Sequence, residues 1–434
     1  MARIVAAALF ALAVAASMAT AQDASQWLDF LLVNRNVNSS MPRSYAVQPP
    51  NYFEQVPASQ KLKNYWKPHK IPYCDNRMIQ PEAMDAYEFQ SETLLTTLGT
   101  DIYDAGVWCM AVTLLGKAEN CSAYLHNDLL GDKTIQFTNI RGDATCNGRE
   151  YFNECNEPTK AQCGFCYGDK ATSLTVDNAY FFRLISNYWL IEGTIDQRCP
   201  DLHKAWIWND YKPILGENAW AQLLSPAQHA MMTSNYTPAA IPDDAPIFRL
   251  GIPFLQALEA MMVGDTGAFY YTPWNTWFNF SHASEIVGAT FSVENQASLL
   301  GGLEALQFIL KNKPASSHAS ALPQVDGFVN GLKKLLIRAY NKNLGFFHQG
   351  GTYNATTQTL TWSQTGQPEF AVDCQTWVGA VLGTQIIDGE FGNGTAYNLW
   401  QTTKKLAGWQ CPNGDFCGVG YTYTNYSGQV FSGE

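Results

Sequence analysis

Charge is scarce in this chain, and positive charge most of all. Asp, Glu, Lys and Arg supply 15% of its 434 residues, and 38 acids outnumber 27 bases. The bases are dispersed, with no cluster beyond Lys61-Leu62-Lys63. A phosphate-reading surface needs such clusters, so their lack argues against nucleic acid as a partner. Long apolar runs are missing too. The stretch Ile4 to Ala16 is shorter than the roughly 20 residues of a membrane span. Gly, Asn, Gln or charged residues interrupt every later run. No Gly-x-Ser-x-Gly elbow, His-Glu-x-x-His pair, phosphate-binding P-loop or dinucleotide fingerprint occurs. The 7 histidines are scattered. Nothing in the sequence calls for a metal or a cofactor.

The N-terminus carries Met1-Ala2-Arg3, the apolar stretch and then Ala19-Thr20-Ala21. A positive start, a short apolar core and small residues before the cut read as a secretory leader over residues 1–21. Loss of Arg3 with it takes the formal net charge from −11 to −12. Glycosylation sequons at Asn38, Asn120, Asn235, Asn279, Asn354, Asn393 and Asn425 agree with export. So do the 11 cysteines, which should mostly pair in an oxidising compartment. The odd count leaves one over, and Cys374 or Cys109, each inside an apolar helical pattern, is the expected spare.

Residues 22–70 form an extended arm with Pro42, Pro49, Pro50, Pro57 and Pro68 among aromatics. Residues 71–434 read as one large domain, with a cysteine-rich insertion at about 119–200. Within the insertion, Cys163-Gly164-Phe165-Cys166 reads as part of a disulfide-stapled loop rather than a zinc knuckle or redox pair. Cys411 and Cys417 are expected to close a local loop by a disulfide.

What the chain does have is a beat. Acids open apolar-periodic stretches at Gly216-Glu217-Asn218, Val293-Glu294-Asn295-Gln296 and Val372-Asp373-Cys374-Gln375, at intervals of 77 and 79 residues. The segments starting at Gly267, Gly345 and Gly418 keep nearly the same rhythm, at 78 and 73. Two signals in one phase mark a structural unit used repeatedly.

Helices are predicted over Pro81 to Leu98, Asp104 to Leu115 and Asn178 to Ile191. Pro253 to Met262 carries Leu255, Leu258 and Met262 at helical spacing. Leu299, Leu303, Leu306 and Leu310 follow Glu294 as a stripe, and Val325, Val329, Leu332, Leu336 and Ala339 form another. Tyr397, Trp400 and Leu406 mark a weaker one. Between the helices lie aromatic hairpins, most clearly the one after Leu344. The fold class is therefore mainly α: a toroid or barrel of α/α helical hairpins, aromatic β-hairpins crowding one rim, and the disulfide-rich insertion.

On that rim would sit Glu217, Glu294 and Asp373, with Asp210 in the loop before the first. Each alone could merely favour a helix start. Together they offer the two carboxyl groups that glycoside hydrolysis needs. Around them, Trp208, Tyr270, Trp274, Trp277 and Trp362 are candidates to stack on sugar faces, while Asn218, Asn295, Gln296 and Gln375 could bind hydroxyls. Trp377, within a helix, reads as core. His282 and His348 read as loop histidines. The pattern resembles the six-hairpin (α/α)6 toroid glycosidases, and more loosely the polysaccharide lyases sharing that toroid. The resemblance covers about Pro81 to Glu434 at the level of architecture. It implies a general acid and a general base among the four acids, and an oligo- or polysaccharide as partner. A non-catalytic extracellular glycoprotein of wall, coat or filament, assembling with itself or with matrix partners, is the alternative. Seven sequons and an aromatic arm suit it.

Overall fold

A computed structural model of the chain describes residues 99–130, 134–137, 181–186, 214–271, 276–277, 286–287, 290–363, 370–409 and 418–420. These are mostly helical, with short antiparallel strands between the helices. The expected leader, arm and helix Pro81 to Leu98 all fall outside the described residues, as do Cys146, Cys155, Cys163, Cys166, Cys411 and Cys417. Among the described residues no helix is long and apolar enough to cross a membrane.

Strand β1 (Gly99–Asp101) leads into α1 (Ile102–Leu114), close to its predicted span. Helix α2 (Ala118–Ala123) follows and runs on as a π-helical turn, Tyr124–Leu129. A disulfide joins Cys109 on α1 to Cys121 on α2. Cys109 is thus not the spare, and Cys374 is the free, buried cysteine among the described residues. The helix predicted over Asn178 to Ile191 is corrected: Phe181–Ser186 is a strand, β3, lying between β1 and β2 (Thr134–Phe137). An apolar run without clear period fits strand or helix equally. Here Phe181, Phe182 and Ile185 favour extended backbone, and β1 offers a partner, Gly99 opposite Ser186.

Helix α3 (Leu215–Ala219) passes through a π-helical stretch, Trp220–Leu224, into α4 (Ser225–Thr233). Helix α5 (Pro246–Ala260) begins seven residues before the predicted start at Pro253, because Pro246 takes the first helical position and fixes its φ. Pro253 then sits inside the helix, and Met262 falls beyond its end, partly exposed.

Two hairpins complete the helical body. Helix α6 (Val293–Lys311) packs on α7 (Leu322–Arg338), and α8 (Val372–Phe391) packs on α9 (Thr395–Ala407). Helix α6 also lies between α3 with its π stretch and α8. The leucine stripe of α6 and the Val325-to-Ala339 stripe of α7 are buried as their spacing predicts. The α9 stripe is corrected. Tyr397 is 66% exposed, and Leu399, Thr403 and Ala407 face the core. Spacing by four from Leu399 follows the inward face, whereas Tyr397 lies off it.

The aromatic hairpins also form. Strands β9 (Gly350–Asn354) and β10 (Thr359–Trp362) pair antiparallel, and β6 (Thr290–Ser292), which leads into α6, joins β9. Elsewhere β4 (Thr276–Trp277) pairs with β5 (Ile286–Val287), and β7 (Tyr340–Asn341) with β8 (Phe346–Phe347).

Glycine lets α6 approach its neighbour. A Cβ at Gly302 would lie 2.6 Å from Leu223 Cβ, and one at Gly106 would lie 3.2 Å from Trp220 Cβ. Gly302→Ala gains about 1 kcal/mol of helix propensity but overpacks this contact at about 1–3 kcal/mol. We expect a lower thermal midpoint than wild type; an equal or higher one would show that the helices separate freely.

Candidate active site

The site is built from helix starts. Ser292 caps α6, its hydroxyl accepting hydrogen bonds from the Asn295 backbone N–H at 3.4 Å and the Asn295 amide at 3.0 Å. Glu294, the second residue of α6, accepts from Asn295 Nδ2 at 2.6 Å and from the Ser292 hydroxyl at 3.5 Å. Asp373, the second residue of α8, accepts from the Cys374 N–H at 2.6 Å. Glu217 is the third residue of α3. Unsatisfied N–H groups and the dipole favour an acid at each start.

Closeness then works against them. Glu294 is pushed up to about 8, first by burial and then by the charge of Asp373, with the bonds from Ser292 and Asn295 pulling the other way. A neutral carboxyl therefore sits beside an acid at neutral pH. Burial also pushes the Cys374 thiol well up, aided by the charges of Asp373 and Glu294. It stays a thiol, its Sγ 3.9 Å from the Gln349 carbonyl it donates to.

One turn further along, the same helix faces meet. Trp220, Ser298 and Trp377 follow Glu217, Glu294 and Asp373 by three or four residues, which places each on its acid's face. The rings of Trp220 and Trp377 are 5.6 Å apart, and Tyr103 of α1 lies 5.4 Å from the first and 5.7 Å from the second. The Trp220 indole N–H donates to Ser298 Oγ at 3.1 Å. Side chains of α1, of the π-helical stretch after α3, of α6 and of α8 thus meet at one place.

The amides predicted to bind hydroxyls are used internally. Gln296 is buried, accepting from the Phe269 N–H at 2.9 Å and donating to its carbonyl at 2.9 Å. Gln375 does the same for Phe347, at 2.8 and 3.1 Å. Asn218 donates to the Ile214 carbonyl and accepts from Gln222, and Asn295 accepts from the Gly216 N–H. These four are corrected from ligand contacts to internal clamps: at 0–2% exposure they have little surface to offer.

Of the aromatics, Tyr270 is half-buried against two core clusters. Trp362 is half-buried, 5.5 Å from Phe291 and stacked on His348 at 5.4 Å. Only the backbone of Trp277 is described, in β4. Trp208, Asp210, Trp274, His282, Asn38, Asn279 and Asn425 lie outside the described residues. Of the other sequons, Asn235, Asn354 and Asn393 are exposed and Asn120 partly so. Among the described residues no group of three or more His, Cys, Asp or Glu is placed to hold a metal.

The chain matches no protein-family model, and no curated protein or solved structure is significantly similar to it. Sequence reasoning passed over Tyr103, Trp220 and Ser298, and read Trp377 as core. For Trp220, Ser298 and Trp377 the signal was there in the spacing of three or four from an acid; Tyr103 carries no such signal.

Two tests follow from the electrostatics. Between pH 4.5 and about 8, Glu294 is protonated in the fold and ionised in the unfolded chain. Folding there takes up a proton, so its contribution to stability falls as pH rises across that window. Glu294→Gln, which cannot ionise, should gain in thermal midpoint relative to wild type from pH 4.5 to 8; a constant difference would contradict the shift. Cys374 should resist a thiol reagent at pH 8 in the native protein and react in denaturant. Rapid native labelling would place it outside the core.

Proposed function

We propose that this protein is a secreted carbohydrate-active enzyme, a glycoside hydrolase in which Glu294 and Asp373 form the working carboxyl pair. The observation that carries the reading is a carboxyl raised to about 8 beside a second acid, on adjacent helix starts. Hydrolysis of a glycosidic bond asks for that asymmetry: one group protonated to assist the leaving oxygen, one ionised to activate water or attack the anomeric carbon. Glu294 takes the first role and Asp373 the second. Glu217, at the next helix start, is a further acid of the same end, and Asp210 stays a candidate from the sequence alone.

Paired antiparallel helices, the unit of the toroid proposed as scaffold, support the reading. The hairpins α6/α7 and α8/α9, with the helix-start faces meeting at Tyr103, Trp220 and Trp377, are what such a ring requires. The leader and sequons read from the sequence support an exported protein acting on an oligo- or polysaccharide outside the cell.

One observation favours the alternative of a non-catalytic extracellular glycoprotein. Asp373 and Glu294 both make first-turn hydrogen bonds that account for them as helix-start acids. Activity separates the readings. On a polysaccharide panel with released sugars measured, wild type should cleave at least one member. Glu294→Gln and Asp373→Asn should each lower turnover by about 10²–10⁴-fold while remaining folded. The wild-type rate should fall as pH rises through about 8, where Glu294 loses its proton. No released sugar, or undiminished turnover in both amides, decides for the structural glycoprotein.

A further inference from the structure

Resting on the carbohydrate reading above, we infer that Tyr103, Trp220 and Trp377 form the floor of the site, against which a single sugar ring lies. The three rings meet at centroid distances of 5.4 to 5.7 Å. None is fully buried, unlike the aliphatic residues behind them such as Leu223 and Val378. Trp220 and Trp377 stand one turn along their helices from Glu217 and Asp373, a rise of about 5.4 Å, and Tyr103 of α1 meets them there. The next turn is closed. A Cβ at Gly301 would lie 3.3 Å from Val381 Cγ1 and 3.6 Å from Leu224 Cδ2, so the interior is filled there. A ligand entering from the acid end therefore stops at the rings. One turn of rise matches the thickness of a single sugar ring lying beneath the carboxyl groups.

The chemistry of the floor selects what lies on it. The Trp220 indole N–H is taken by Ser298, so that ring offers carbon rather than a donor. A sugar's axial C–H face suits such a surface, and its hydroxyls are left for the acids above. Among the described residues, the first two turns of α1, α3, α6 and α8 carry acids and no Lys or Arg. The ring should accordingly carry no carboxylate. Uronic acid polymers are disfavoured by this field, and neutral sugars are accepted.

Binding tests this without turnover, in Glu294→Gln protein, by calorimetry with cello-, xylo-, manno-, malto- and N-acetylchito-tetraoses and with a tetragalacturonate. We expect at least one neutral tetraose to bind and the galacturonate not to. Adding Trp377→Ala or Tyr103→Ala should weaken binding about tenfold or more, whereas Trp377→Phe should hold it within a few fold. Should the alanine variants not fold, fluorescence decides. Ligand should alter tryptophan emission in the parent, and Trp377→Phe together with Trp220→Phe should remove most of that change. Undiminished affinity in the alanine variants, an undiminished emission change, or tighter binding of the galacturonate overturns the floor, even where wild type still cleaves its substrate. Failure of wild type both to bind and to cleave any tetraose overturns the carbohydrate reading itself.

Discussion

Burial of the Glu294 carboxyl beside Asp373, where α6 packs against α8, is the constraint on which the rest of the arrangement depends. Isolated helix starts welcome an acid each. Burying one start, and setting a second acid beside it, turns that gain into a conflict, which the protein meets by keeping a proton on Glu294. The Ser292 cap and the Asn295 amide hold the Glu294 carboxyl in place while it is neutral. Buried Cys374 fills the space beside the pair with a small, unionised side chain.

The enforced closeness has its own supports. Gly302 and Gly106 let the helices approach, and the rings of Tyr103, Trp220 and Trp377 lock their faces one turn along. Gln296 and Gln375 add a device used twice. Each lies two residues after its acid and grips both backbone groups of an aromatic residue some 27 or 28 positions earlier. The second and third acids of the repeating beat carry this clamp, and the first, Glu217, does not. In α6 and α8 an acid opens the helix, and a glutamine just behind it ties an aromatic residue of the preceding segment to that helix.

Much of this could be read from spacing alone. The stripes of α6 and α7, the start of α1, the hairpin after Leu344 and the acids at three helix starts all follow from periodicity and turn residues. Local signals failed where a distant partner decided. Phe181–Ser186 became a strand because β1 and β2 lay beside it. Cys109 found Cys121, twelve residues on, across a turn that the helical pattern concealed. Asn295, Gln296 and Gln375 looked like ligand groups because amides beside acids suit hydroxyls. Their actual partners, Gly216, Phe269 and Phe347, lie 27 to 79 residues away. The raised proton affinity of Glu294 was equally hidden, since it depends on burial and on which helix lies next door.

The coupling of the two acids is open to direct measurement. Titration of Glu294 by carbon-detected NMR, in wild type and in Asp373→Asn, reads the interaction without any substrate. Facing acids should make Glu294 titrate near 8 in wild type and distinctly lower once residue 373 carries no charge. An ordinary carboxyl value in wild type, or one that does not move between the two proteins, would mean that α6 and α8 do not bring their acids together.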